Sequence, residues 1–344
     1  MHIFSLYYYF SGVISCWWRT SCSIFGDSVV DVGNNNNLQT LIKADFLPYE
    51  RDYITHAPIG RFCNGKLAID FIADNLGFSS YPPAYLSEEA TRGDRILSGV
   101  NLASAASAYY ETTAQLYVKG CNIDAAAAKL QGMAEQSSED AIFSGGIHLQ
   151  NLYKLGARRI GVTSLPPVGC LPVEITLFGR GSNECVARLN KDAILFNQKL
   201  NSASQNLKAS LYGLKLVVLD IYQPLLDMIT NPGDSGLFEA RRACCGTGTV
   251  ETSILCNSRS VGTCSNTTGY VFWDGFHPSE AANEILAQPL LQQGFELISL
   301  FTLYSPNPII IFSLALLNNT INLSYHYMIA STMRYSKATA VTHL

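Results

Sequence analysis

The sequence predicts an α/β domain, a three-layer α/β/α arrangement around a parallel sheet. Residues 159–164 (RIGVTS) and 214–221 (LKLVVLDI) are short runs of β-branched and apolar residues, the composition of parallel strands buried on both faces. Between them Val186, Leu189, Ala193, Phe196, Leu200, Ala203, Leu207 and Leu211 draw one apolar stripe at helical spacing, interleaved with Lys191, Asp192, Gln198, Lys199 and Lys208. Alternating strands and helices of this kind cover a parallel sheet on both faces.

The other elements follow in order. Residues 22–27 read as a short strand running into a tight turn. Residues 66–76 (KLAIDFIADNL) place Leu67, Ile69, Phe71, Ile72 and Leu76 on a buried helix face, closed by Gly77. His148 lies in an apolar segment that reads as strand, and Asn151 belongs to the helix leading into residues 155–159. A last helix is expected over 279–288, entered through Pro278, whose fixed φ suits a helix start. No internal repeat is visible. The domain spans 22–300, between a signal peptide or irregular N-terminus at 1–21 and an appendage of no predicted fold at 301–344.

Composition narrows the function classes. With 48% hydrophobic and 11% aromatic residues the 344-residue chain can bury a full core. A net charge of −4 without a basic stripe argues against nucleic acid and anionic membrane surfaces as partners. Residues 3–18 are apolar enough for a signal sequence but lack a preceding Lys or Arg. The run at 309–317 is nine residues long, short of the roughly 20 that a bilayer span needs. A monomer is assumed.

Ten cysteines are present, and Cys170, Cys185, Cys244, Cys245, Cys256 and Cys264 crowd into one third of the sequence. None has zinc-ligand spacing; disulfides in an oxidising compartment fit better, as does the sequon Asn266-Thr267-Thr268. Cys170 and Cys185 bracket one loop. The remaining four allow three connectivities, which spacing does not decide, and Cys63 and Cys121 are expected to be free.

The chemistry centres on FGDSVVDVGNNNN (25–37). A serine hydroxyl needs a base to take its proton and a third group to hold that base. Of six histidines, His2, His326 and His343 lie in the ends, and His56 lies in a Pro/Gly-rich loop. His277, in FWDGFHPSEAAN (272–283), stands three residues after Asp274. An Asp so placed in a turn can reach the imidazole nitrogen that faces away from the serine. The bland alternative is a surface turn whose Asp only caps the following helix. A second Gly-Asp-Ser at 233–235 follows Asn231-Pro232 and precedes Gly236, a turn. Ser28 instead follows a strand, and in open parallel sheets ligands gather beyond the strands' carboxyl ends.

These motifs, with GRFCNGK (60–66), GVNLAS (99–104), LGARRIGVTSLPPVGCLP (155–172) and RRACCGTG (241–248), resemble the plant GDSL esterase/lipases of the SGNH hydrolase superfamily. The resemblance covers roughly residues 22–300. It implies a flavodoxin-like α/β/α fold and hydrolysis of a small-molecule acyl ester through an acyl-enzyme, with Ser28 as nucleophile, His277 as base and Asp274 as its partner. It implies no metal or organic cofactor.

The resemblance also implies three oxyanion donors: the Ser28 backbone N–H, a glycine N–H in a second block and an asparagine side chain in a third. The second block reads Asn101-Leu102-Ala103-Ser104-Ala105-Ala106, so Ala105 or Ala106 would supply its N–H. In the third block the strand starting near Ser144-Gly145-Gly146 runs at once into Gln150-Asn151, without the expected turn and following helices. Part of the sheet region is therefore expected to be truncated, and Asn151 is not assigned to the oxyanion hole. Two readings follow: a secreted ester hydrolase, or a catalytically impaired remnant that keeps the fold and binds ligands. Acyl transfer to an alcohol is a third.

Overall fold

The computed structural model describes residues 15–17, 21–90, 99–107, 146 and 148–298. The expectations for Cys121, His2, His326, His343 and the segment 301–344 fall outside these residues.

The strands are β1 (Ser15–Trp17), β2 (Ser21–Ile24), β3 (Gly99–Asn101), β4 (Arg159–Thr163), β5 (Lys215–Leu219), β6 (Glu239–Ala243) and β7 (Tyr270–Phe272). The pairs β2–β3, β4–β5 and β6–β7 are parallel, and β1 joins β2 antiparallel. The chain is thus mixed α/β with parallel strands, as expected. Among the described residues, however, the strands form three separate hydrogen-bonded sheets, not one. No described strand lies between β3 and β4.

Helices α1 (Ala68–Asn75), α2 (148–154), α3 (Pro172–Phe178), α4 (Ala187–Ser210), α5 (Tyr222–Thr230) and α6 (Glu280–Gln293) separate or follow these strands. The α2 span corrects one expectation. The segment around His148 is helical, and Leu149 and Leu152, three apart on one helix face, both reach the core. Asn151 lies in this helix, as its pattern indicates.

Helix α1 begins where the Asp70 carboxylate accepts the Leu67 N–H at 2.9 Å. It ends at Gly77, whose φ of +75° puts it in the left-handed region that stops a helix. Helix α4 buries Leu189, Ala193, Phe196, Leu200 and Leu207; removing each large side chain from water contributes about 2 kcal/mol. Ser204 is buried on that face and Ala203 only half-buried, a small rotation of the stripe from its expected line.

One core joins Ile24, Ile160, Leu216 and Phe272 from the strands to Leu67 at the start of α1 and to the helix faces. A second, smaller cluster gathers Tyr49, Phe62, Trp273 and the cysteines Cys244, Cys245 and Cys256. Among the described residues the disulfides are Cys170–Cys185, Cys244–Cys264 and Cys245–Cys256, which settles the connectivity that spacing left open. Cys63 is a free thiol in the core.

Candidate active site

Strand β2 delivers Ser28 to the site. Beyond Ile24 the chain passes through buried Asp27, whose carboxylate accepts the Val29 N–H at 3.0 Å and closes the turn around Ser28. The continuation of β3 runs beside it, Leu102 N–H donating to the Ile24 carbonyl and Ser104 N–H to that of Gly26. Ser28 is half-buried at the strand's carboxyl end. The other Gly-Asp-Ser forms part of the surface 3-10 turn Pro232–Ser235, stopped by left-handed Gly236.

Strand β7 delivers the base. After Phe272 the segment folds back, Trp273 N–H donating to the His277 carbonyl at 2.8 Å. Within this turn Asp274 Oδ1 accepts the backbone N–H of Phe276 and of His277, both at 2.9 Å. The three-residue spacing therefore puts carboxylate and imidazole side by side. Asp274 does not cap helix α6: Ser279 does, its hydroxyl accepting the Ala282 N–H.

His277 Nδ1 lies 2.7 Å from Asp274 Oδ1 and 2.9 Å from Oδ2, and its Nε2 lies 2.7 Å from Ser28 Oγ. An ionised carboxylate can only accept, so the proton sits on Nδ1 and Nε2 presents its lone pair to the serine hydroxyl. Asp274 is fully buried. Burial alone would raise its carboxyl; the charge and hydrogen bond of His277, the Phe276 N–H and the Tyr49 hydroxyl outweigh it and hold the group below its ordinary value. Ser28, His277 and Asp274 are thus brought together. His56 is exposed in its loop, its Nδ1–H donating to the Arg51 carbonyl, and half-buried His148 is on α2.

Of the two alanines expected near the oxyanion, the structure separates their roles. The Ala105 N–H donates to Asp31 Oδ2 at 3.0 Å and is not available to a ligand. Ala106 follows with φ +66°, a left-handed conformation usual for glycine, and no described residue accepts its N–H. The asparagine tract holds this turn: Asn34 Nδ2 donates to the Ala103 carbonyl at 2.7 Å and Asn35 Nδ2 to that of Ala105 at 3.0 Å.

Motif reading did not find several residues around the site. Phe62 lays its ring 5.2 Å from the His277 ring. Asn64 Oδ1 accepts the Glu280 N–H while Glu280 Oε1 accepts that of Lys66, so residues 60–66 clamp the start of α6 behind His277. A Cβ at Gly65 would meet the Glu280 carboxylate and displace it from this clamp. Tyr49 and Thr252, in no recognised motif, donate to Asp274 Oδ2 at 2.8 and 3.1 Å. Only proximity in space joins them to the site. Among the described residues no cluster of His, Cys, Asp and Glu could hold a metal ion, and no helix is long and apolar enough to cross a membrane.

Comparison with known proteins agrees with this arrangement. Residues 23–290 match the family profile described as GDSL-like Lipase/Acylhydrolase. The chain is 53% identical to GDSL esterase/lipase At5g22810 of Arabidopsis thaliana, over 80% of this chain and 89% of that protein. It is 51% identical to GDSL esterase/lipase At3g53100 of the same plant, over 80% and 91%. It is 49% identical to GDSL esterase/lipase APG, also of Arabidopsis thaliana, over 80% and 90%. The first match spans 324 positions, while four-fifths of this chain's 344 residues is about 275. Several dozen positions of that relative therefore have no counterpart here.

Proposed function

The chain belongs to the GDSL-like lipase/acylhydrolase family, and from that premise we propose that it is a serine ester hydrolase acting through Ser28, His277 and Asp274. The observation that carries the assignment of residues is the unbroken hydrogen-bonded chain from Ser28 Oγ through the imidazole to the Asp274 carboxylate. The Ser28 oxygen attacks the ester carbonyl carbon as its proton passes to His277 Nε2. Asp274 holds the Nδ1 proton and stabilises the imidazolium that forms. The tetrahedral oxyanion is met by the N–H groups of Ser28 and Ala106. Collapse returns the proton from Nε2 to the departing alcohol oxygen, and water then repeats the sequence in reverse to release the acid and free Ser28.

One donor the family uses, the third-block asparagine, has no assigned counterpart in this chain. Loss of a single oxyanion donor lowers kcat by about 10²–10³, which slows an enzyme and leaves it an enzyme. The relatives' names favour ester hydrolysis over a purely binding role. The test is turnover of p-nitrophenyl acyl esters by the purified protein. Ser28→Ala is expected to lower kcat by about 10⁵-fold or more; equal rates for both proteins would sink the assignment.

We further infer that the protein folds in an oxidising compartment and is secreted, with Asn266 glycosylated. Three disulfides among the described residues support this. So does the exposure of Asn266, whose side-chain oxygen accepts from both the N–H and the hydroxyl of Thr268. A mass loss at Asn266 on enzymatic deglycosylation of protein secreted from plant cells is expected; an unmodified Asn266 there would refute the glycan.

A further inference from the structure

Tyr49 is fully buried, its ring edge-on to Phe46, Phe62 and Trp273 at centroid distances of 5.8, 5.8 and 6.1 Å. Its hydroxyl donates to Asp274 Oδ2 at 2.8 Å and accepts the Ser253 N–H at 2.7 Å. The Thr252 hydroxyl donates to the same Oδ2 at 3.1 Å. That oxygen is also 2.9 Å from His277 Nδ1, so three donors converge on one end of the carboxylate. A buried tyrosine hydroxyl needs a partner in any fold. Here the partner is the group that holds the base, and the bond spends charge that would otherwise face the imidazole.

The geometry points to Tyr49 as a positioning residue for the reaction, seconded by Thr252: the hydroxyls fix the Asp274 carboxylate and set how strongly it holds the His277 Nδ1 proton. This rests on the roles given above to Ser28, His277 and Asp274. Burial, with the Asp274 charge and hydrogen bond beside it, pushes the Tyr49 phenol well above its ordinary value, so it remains a donor. The charged neighbours on adjoining segments are engaged elsewhere. Arg51 lies over the Trp273 ring and donates to the Cys264 carbonyl. The Glu251 carboxylate accepts from Thr247 and Thr249. Tyr49 and Thr252 are therefore the side chains through which the surrounding structure adjusts this carboxylate.

The test uses the full chain carrying Tyr49→Phe, which keeps the packed ring, or Thr252→Val. Proton NMR reads the His277 Nδ1–H resonance at low field without any substrate, with its loss in His277→Gln as assignment. With a donor removed, Asp274 becomes a better acceptor, so the resonance moves downfield in Tyr49→Phe and by less in Thr252→Val. In turnover, Tyr49→Phe lowers kcat about ten-fold at unchanged KM, and the acidic limb of the kcat/KM profile moves to higher pH. A downfield move in Tyr49→Phe, or in Thr252→Val where the first variant does not fold, upholds the proposal. An unmoved resonance alongside a lowered Tm overturns it, reducing Tyr49 to a structural partner. Failure of the hydrolase reading shows separately, as wild-type turnover no faster than Ser28→Ala, and leaves the NMR result decisive for Tyr49.

Discussion

Two buried aspartates flank the site, and their carboxyls are driven in opposite directions. Asp274, on the base side, lies below its ordinary value; Asp31, beneath the turn that carries Ala106, is raised from 3.8 to about 6. Burial penalises both. Asp31 accepts N–H groups from Gly33, Asn34 and Ala105 at 2.8, 2.7 and 3.0 Å, yet these neutral donors do not recover what burial costs. Asp274 faces an imidazole that can carry positive charge, and there the balance reverses. At this site the neutral donors around Asp31 do not offset burial, whereas the imidazole facing Asp274 does. The contrast divides the site. The base side faces an imidazole, whereas the side proposed above for the oxyanion rests on a carboxyl raised to about 6.

The larger way to break that contrast is Asp31→Asn. A folded-state value of about 6 against 3.8 unfolded means that the Asp31 contribution to stability is fully present below about pH 4 and is lost as pH rises through about 6. Two units correspond to about 3 kcal/mol. Asparagine cannot ionise, so it carries a constant penalty for the lost acceptor and none of this slope. Denaturant melts at pH 4, 5, 6 and 7 are expected to show wild type losing about 3 kcal/mol relative to Asp31→Asn across that range. Parallel curves would remove the distinction between the two aspartates.

The same division governs how much could be read from sequence. Asp274, His277 and Ser28 were legible because local chemistry constrains them: a turn fixes the three-residue spacing, and a strand end fixes the serine. Helix α4 was legible because its stripe is long and periodic. Tyr49 and Thr252 were not, since each meets Asp274 through a loop whose course depends on tertiary packing and, at Thr252, on the nearby Cys245–Cys256 disulfide. The strand expected at His148 failed for another reason. A short apolar segment has no periodicity long enough to separate strand from helix, and α2 is settled by Leu149 and Leu152 reaching the core together. Which of the described strands pair was not legible, because spacing alone does not fix strand order.

The smaller effect sharpens the contrast at Ala106. Its φ of +66° places a β-carbon where an L-residue is strained, at a cost of about 1 kcal/mol. The turn nevertheless holds, because Asn34 and Asn35 donate to the carbonyls of Ala103 and Ala105 and Asp31 takes the Ala105 N–H. Glycine adopts the same backbone without that strain, although its greater freedom in the unfolded chain returns part of the gain. Ala106→Gly is therefore expected to raise stability by at most about 0.5 kcal/mol and to leave kcat undiminished, since the N–H survives the change. Thermal melts and ester turnover measured on the same preparation check both halves. A drop in Tm would mean that the asparagine clamp does not hold the turn and that the alanine methyl packs there to advantage.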